Sequence, residues 1–217
     1  MSESLVHLIR EPAGEPQGAL LLNHGRGSDE NDLYGLLDEI DPERRLLAVT
    51  PGAPLTDIPP GGRHWYRVPR VGYPDPATFE SSYALLAGLY DGLLTERGIG
   101  WDRTVIGGFS MGSVMSYGLA LGPGRATPAG LIALSGFVPT VEGWEPELEG
   151  RESLKALIHH GSNDPVIEIG FAHRAHELLS GAGIEVDFYE SEAGHWLPPE
   201  LAPKLREFVS ERIPPAA

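Results

Sequence analysis

Ser110 sits at the centre of Gly108-Phe109-Ser110-Met111-Gly112. A short apolar run, Thr104-Val105-Ile106, leads in, and a small-residue stretch, Ser113 to Leu121, leads out. That order of segments predicts a strand, a sharp turn and a helix, with a serine at the apex. A serine hydroxyl becomes an effective nucleophile only when a base takes its proton and donors stabilise the oxyanion that its attack creates. The turn serves both needs. It lifts the side chain clear of the sheet and aims the first N–H groups of the helix at the place where negative charge develops. Glycines two residues to either side let neighbouring backbones pass where a Cβ would clash.

Such a serine needs a histidine as base and a carboxylate to orient it, each presented from a loop after a strand. Among eight histidines, His195 is the best placed. It lies in Glu192-Ala193-Gly194-His195-Trp196, after a predicted strand and before the last predicted helix. Asp164, in Gly161-Ser162-Asn163-Asp164-Pro165, follows another predicted strand and is the favoured carboxylate, although Ser162, Asn163 and Asp164 are also ordinary turn and cap residues. Glu190 and Glu192 are rivals that sit too near His195 in sequence to approach its ring from the far side. A second oxyanion donor is expected after an early strand. Leu20-Leu21-Leu22-Asn23-His24-Gly25-Arg26-Gly27 supplies it, because glycines on both sides of Arg26 permit the backbone angles that turn an N–H inward.

The remaining candidates weigh less. His24 reads as a buried residue that fixes its loop, and His159 and His160 as strand-end residues that pack. His173 and His176 are three apart on a helix, but no third ligand at telling spacing accompanies them, so no metal site is expected. Ser135 ends a strand without elbow glycines and is a weak alternative nucleophile.

Strands and helices must alternate to hold these loops. Gly18–Leu22, Arg45–Val49, Thr104–Ile106, Leu131–Leu134, Leu154–His159 and Glu185–Tyr189 read as buried strands. Helical patterns are expected over Ser81–Arg97, from the elbow to about Leu121, over Ile169–Leu179 and over Pro203–Ile213. The expected fold is α/β, a mostly parallel sheet with helices on both faces, in one domain over 1–217. Pro51 to Thr78 breaks the rhythm with prolines, glycines and three aromatics, Trp65, Tyr66 and Tyr73. Long irregular connections in this fold class rise beside the carboxyl ends of the strands, so the three aromatics are candidate substrate contacts. Arg63, Arg67 and Arg70 in the same stretch form a candidate positive patch.

With 217 residues the chain is long enough to bury roughly 70% of its unfolded surface. It has no cysteine, so neither disulfides nor thiolate metal sites exist. A net charge of −15 opposes binding to nucleic acid or to an anionic membrane surface. The first residues show no basic-then-apolar leader, which makes a cytoplasmic protein the expectation. Monomer and homodimer are both compatible with the sequence.

Taken in order, Asn23-His24-Gly25-Arg26-Gly27-Ser28-Asp29-Glu30-Asn31-Asp32, Gly108-Phe109-Ser110-Met111-Gly112, His160-Gly161-Ser162-Asn163-Asp164-Pro165-Val166 and Gly194-His195 resemble the phospholipase/carboxylesterase family of α/β-hydrolases, relatives of the acyl-protein thioesterases. The resemblance spans nearly the whole chain, and Ser, Asp, His is the α/β-hydrolase order. It implies a hydrolase sheet without a large cap domain and a triad of Ser110, Asp164 and His195. It also places the oxyanion donors on the backbone amides of Arg26 and Met111. Many members carry glutamine where Met111 stands; the donor is the backbone, so the substitution alters the pocket surface rather than the chemistry. The expected activity is hydrolysis of a small-molecule ester with no cofactor. Thioester or lysophospholipid hydrolysis uses the same residues, and a non-catalytic binding protein is the rival from another class.

Overall fold

The computed structural model describes residues 4–215. Seven strands form one sheet: β1 (His7–Arg10), β2 (Ala19–Asn23), β3 (Leu47–Pro51), β4 (Thr104–Phe109), β5 (Gly130–Leu134), β6 (Lys155–Gly161) and β7 (Glu185–Ser191). Their order across the sheet is β1-β3-β2-β4-β5-β6-β7. Only β1 runs antiparallel to its neighbour. The register sets Asn23 opposite Gly108, Phe109 opposite Leu134, and Gly161 opposite Ser191. The carboxyl ends of β2, β4, β5, β6 and β7 therefore share one edge of the sheet, where ligands bind in open parallel sheets.

Strand side chains alternate between two apolar layers, as the pleat requires. Leu21, Val49, Ile106 and Ile158 face a core shared with α2 (Pro76–Glu96), α3 (Met111–Leu121) and α4 (Gly170–Gly181). Leu20, Leu22, Val105 and Ile132 face the opposite core, built with α1 (Tyr34–Ile40) and α5 (Leu201–Arg212). This is the α/β-hydrolase architecture, with no large inserted cap among the described residues. No described helix is long and apolar enough to cross a membrane.

The six strands and four helices expected from periodicity are present with shifted ends. β1 and α1 were not legible. β1 is four residues, mostly half-buried, and lacks an apolar run. α1 has seven residues and no side-chain cap, too short for propensity to specify; Leu37 and Ile40 hold it against the core shared with α5. Helix α2 begins five residues before the expected Ser81. The Asp75 carboxylate accepts from the Thr78 N–H at 3.0 Å, and Pro76 opens the first turn.

β1 also brings a buried guanidinium. Arg10 is 3% exposed and donates to the carbonyls of Leu37 and Asp41 and to the carboxylates of Asp38 and Asp41. The Asp41 carboxylate also accepts from the N–H groups of Arg45 and Leu46 at 3.1 and 3.0 Å. One ion pair thus ties the edge strand, the end of α1 and the start of β3 together. Arg10→Met leaves the buried Asp41 with only the more distant Arg45 guanidinium, 3.7 Å away, and without its closest donor, so urea denaturation is expected to show a loss of about 3 kcal/mol; a change under 1 kcal/mol would refute this role.

Candidate active site

Ser110 occupies the N-cap of α3 with φ 53° and ψ −119°, backbone angles that a non-glycine residue rarely adopts. Two close passages enforce the turn. A Cβ on Gly108 would lie 2.6 Å from the Asn23 carbonyl oxygen, and one on Gly112 would collide with that same carbonyl. The end of β2 therefore lies directly against the start of α3. Asn23 is locked there: its side-chain amide donates to Ser116 Oγ at 2.9 Å, its side-chain oxygen accepts from the Tyr90 hydroxyl at 2.7 Å, and Ser116 donates on to the Gly112 carbonyl.

A serine at an N-cap ordinarily accepts from the first-turn N–H groups. Ser110 makes no such cap bond. Its Oγ instead lies 2.8 Å from His195 Nε2, and His195 Nδ1 lies 2.6 Å from Asp164 Oδ2. The three residues expected from the sequence thus form one hydrogen-bonded chain from β4, β7 and β6. With Nδ1–H donating to the carboxylate, Nε2 is the basic nitrogen facing the hydroxyl.

Each member is fixed by its surroundings. The Asp164 side chain is fully buried. Oδ1 accepts from the N–H groups of Val166 and Ile167 at 2.8 and 2.9 Å. Burial alone would raise its pKa, but the hydrogen bonds from His195 and from those two amides outweigh it and hold the carboxyl below its ordinary value. His160 Nε2 donates to the Ile167 carbonyl at 2.8 Å and lies 3.5 Å from Asp164 Oδ2. The Phe109 ring stands 4.9 Å from the imidazole of His195, centroid to centroid.

The loops carrying Asp164 and His195 are tied to each other. Ser162 N–H donates to the Ser191 carbonyl and Asn163 N–H to the Ala193 carbonyl, at 2.8 and 3.1 Å. The Asn163 side chain donates to the Glu192 carbonyl at 2.8 Å. A Cβ on Gly161 would strike the carbonyls of Ala193 and Gly194. The residues that read as simple turn formers therefore set the height of His195 above the sheet. Glu190, a rival carboxylate, pairs with His173 at 2.7 Å instead.

The segment after β2 passes beside the serine: a Cβ on Gly25 would lie 3.5 Å from Ser110 Cβ. Gly27 has φ 74° and donates its N–H to the Arg63 carbonyl. Among the described residues neither the Arg26 nor the Met111 N–H has a protein acceptor. Met111 is the first residue of α3, directly after Ser110, and Arg26 lines the same cavity as Ser110. His24 is buried and neutral, with burial the main cause of its lowered pKa. Its Nδ1 donates to the Gly25 carbonyl at 2.6 Å and its Nε2 accepts from Ala53 N–H at 3.0 Å, which ties this segment to the end of β3.

The phospholipase/carboxylesterase sequence profile matches residues 6–213. The chain belongs to this family. It is 24% identical over 205 residues to acyl-protein thioesterase 1 homolog 1 of Dictyostelium discoideum, covering 90% of each chain. It is 30% identical over 195 residues to acyl-protein thioesterase 1 of Debaryomyces hansenii, covering 82% of each. Among solved structures, the carboxylesterase of Bacillus cereus superposes with a TM-score of 0.82 at 20% identity, over 97% of this chain and 96% of that one, a likeness of fold. This phospholipase/carboxylesterase-family protein is thus a hydrolase of ester bonds.

The pocket of the hydrolase corrects the aromatic expectations. Tyr66 lines the cavity of about 60 Å³ beside Ser110, together with Met111, Phe137 and Ile167. Trp65 does not reach it. Its indole is fully buried and donates to the His24 carbonyl at 3.0 Å, so it pins the loop to the body. Tyr73 opens instead on a neighbouring groove of about 1060 Å³, walled by Phe137, Trp144, Phe171 and Leu178. Segment 137–146, which contributes much of that groove, carried no sequence signal because it has no periodic pattern. Ser135, with φ 49°, is fully buried, and its hydroxyl has no hydrogen-bond partner among the described residues. The expected arginine patch also divides: Arg63 pairs with Glu30 and Arg67 with Asp57, leaving Arg70.

Three neutral histidines under this edge make the fold acid-sensitive. Burial, then the neighbouring His160, lowers the pKa of His159 to about 4, and burial lowers those of His24 and His160. As pH falls below 6.5, the ordinary value, the unfolded chain takes up protons that the folded chain refuses. The stability these groups contribute is therefore full above pH 6.5 and is lost as pH falls, for His159 at about 1.4 kcal/mol per pH unit down to its folded value of about 4. Urea midpoints measured from pH 7 to 4.5 are expected to fall steadily, and His159→Phe to flatten the slope by about one proton. A midpoint independent of pH contradicts the burial of neutral imidazoles.

Proposed function

We propose that the protein is a serine carboxylesterase acting through an acyl-serine intermediate. The observation that carries this reading is the unbroken chain of short hydrogen bonds from Ser110 Oγ through His195 to Asp164. His195 Nε2 takes the hydroxyl proton as Oγ attacks the ester carbonyl. The amides of Arg26 and Met111 receive the resulting oxyanion, and two open N–H groups flanking a nucleophile are suited to that charge. The tetrahedral intermediate collapses, the C–O bond to the alcohol breaks, and His195 returns the proton to the departing oxygen. Water then attacks the acyl-serine with His195 as base, and the acid leaves with Ser110 restored. Asp164 keeps Nδ1 protonated and stabilises the transient imidazolium.

The substrate is a small-molecule ester. Because two relatives are named acyl-protein thioesterases, thioester hydrolysis by the same residues is the second reading. The groove beside the cavity has an apolar wall of Phe137, Trp144, Phe171 and Leu178 that suits an acyl chain of either substrate. The rival reading as a non-catalytic binding protein predicts an unreactive serine. Comparing oxyester with thioester turnover separates the two enzymatic readings.

A fluorophosphonate probe with intact-mass detection is expected to add one adduct to wild type and none to Ser110→Ala; an unlabelled wild type overturns the esterase reading. Asp164→Asn is expected to lower kcat by about 10⁴ with little change in KM, because the amide favours the wrong tautomer of His195. Steady-state assays on a p-nitrophenyl ester check this. In the same assay Arg26→Pro, which removes an N–H worth about 3–4 kcal/mol in the transition state, is expected to cost far more than Arg26→Ala on a neutral ester.

A further inference from the structure

The mouth of the Ser110 cavity has a charge pattern unlike the rest of the chain. Acidic residues outnumber basic ones 31 to 16, and most of the arginines are committed to carboxylates, Arg10, Arg44, Arg45, Arg63, Arg67, Arg97, Arg125 and Arg151 among them. Among the described residues, two arginines line the cavity that holds Ser110, and no aspartate or glutamate does. The guanidinium of Arg26 makes one hydrogen bond, to the Pro59 carbonyl at 3.2 Å. That of Arg70 lies 3.6 Å over the Tyr73 ring. Neither has a carboxylate partner among the described residues. The adjoining groove differs: its single arginine, Arg174, shares the lining with Glu142 and Glu145, so it offers an anion no net attraction.

Both guanidiniums are held in place while most of their donors remain open. The carbonyl of Pro59 and the face of Tyr73 restrict them without neutralising them, and an arginine so restrained matches the planar oxygens of a carboxylate or phosphate. A protein of net charge −15 repels anionic substrates over most of its surface, and a local positive rim reverses that field where substrate enters.

We propose that Arg26 and Arg70 form an anion-recognition pair at the mouth of the cavity. The preferred substrates are then esters that carry a second, negatively charged group, a carboxylate or a phosphate, a short chain away from the scissile carbonyl. This inference rests on the esterase reading. The anion is carried on either the acyl or the alcohol side of the ester, and the chemistry that recognises it is the same.

The test compares kcat/KM for pairs of esters that differ in the charged group. The acyl-side arm uses p-nitrophenyl monoadipate against p-nitrophenyl hexanoate. The alcohol-side arm uses a monoacylglycerol 3-phosphate against the monoacylglycerol of equal chain length, followed by acid release. In at least one arm the wild-type ratio of anionic to neutral ester is expected to exceed that of Arg70→Gln by about tenfold, the worth of one hydrogen-bonded charge contact. Arg26→Gln/Arg70→Gln should lower the ratio further, and added salt should shrink the wild-type ratio but not that of the double variant. Arg103→Gln, an exposed arginine at the opposite edge of the sheet whose guanidinium bonds, among the described residues, the Gly98 carbonyl alone, controls for net charge and should leave the ratio in place. Ser110-dependent turnover of the neutral esters, with ratios equal in wild type and Arg70→Gln in both arms, overturns the anion pair alone. Absence of Ser110-dependent turnover of any ester overturns the esterase reading with it.

Discussion

The contact between the Asn23 carbonyl and the glycines of the elbow is the constraint on which the site depends. β2 and β4 are neighbours, and their carboxyl ends finish level with each other, Asn23 opposite Gly108. A helix can leave β4 beside that end only if its first turn has no side chain there, which is why Gly112 has no room for a Cβ. Ser110 is forced into a positive φ by the same geometry, and its hydroxyl points toward the loop edge instead of capping its own helix. The strain stays because the surrounding structure over-determines it: Ser110 N–H donates to the Leu134 carbonyl, its carbonyl accepts from Val114, and Asn23 is held by Ser116 and Tyr90.

A second layer of backbone contacts sets the base. Three strand ends must bring a hydroxyl, an imidazole and a carboxylate within hydrogen-bond reach, and strand spacing alone does not fix the loops above them. Gly161 lets the segment after β7 settle onto the segment after β6, and Ser162 and Asn163 bind it there. The buried Asp164 carboxylate is matched by two backbone amides as well as His195, so the ion is stabilised where an unpaired one would be costly. The hydrogen bond from His195, joined by those of the two amides, outweighs the burial and keeps the carboxyl below its ordinary pKa.

The irregular segments divide between support and surface. Segment 52–75 is fastened to the body by its Ala53 N–H and Trp65 indole, both bonded to His24 after β2, while Tyr66 and Arg70 reach the cavity from the same stretch. Phe137, from the segment after β5, lines both the cavity and the groove, so the two lie side by side. The chemistry thus rests on rigid strand ends, and the walls around it come from connections that can vary without disturbing them.

Sequence alone determined the alternation of buried strands and helices, because a pleat buried on both faces needs apolar runs and a covering helix needs an apolar stripe. It also determined the order of Ser110, Asp164 and His195, because each stands in a glycine-bearing turn after such a strand. The shorter elements escaped it. β1 and α1 are too brief for periodicity, and the Arg10–Asp41 pair that joins them links residues 31 apart in the chain. Which aromatics face substrate was equally beyond it: Trp65, Tyr66 and Tyr73 lie in one aperiodic stretch, and only packing turned the first inward, the second to the cavity and the third to the groove. Tertiary structure decided these points because they depend on which distant backbone occupies the space beside a residue, and an irregular segment carries no period from which that neighbour can be inferred.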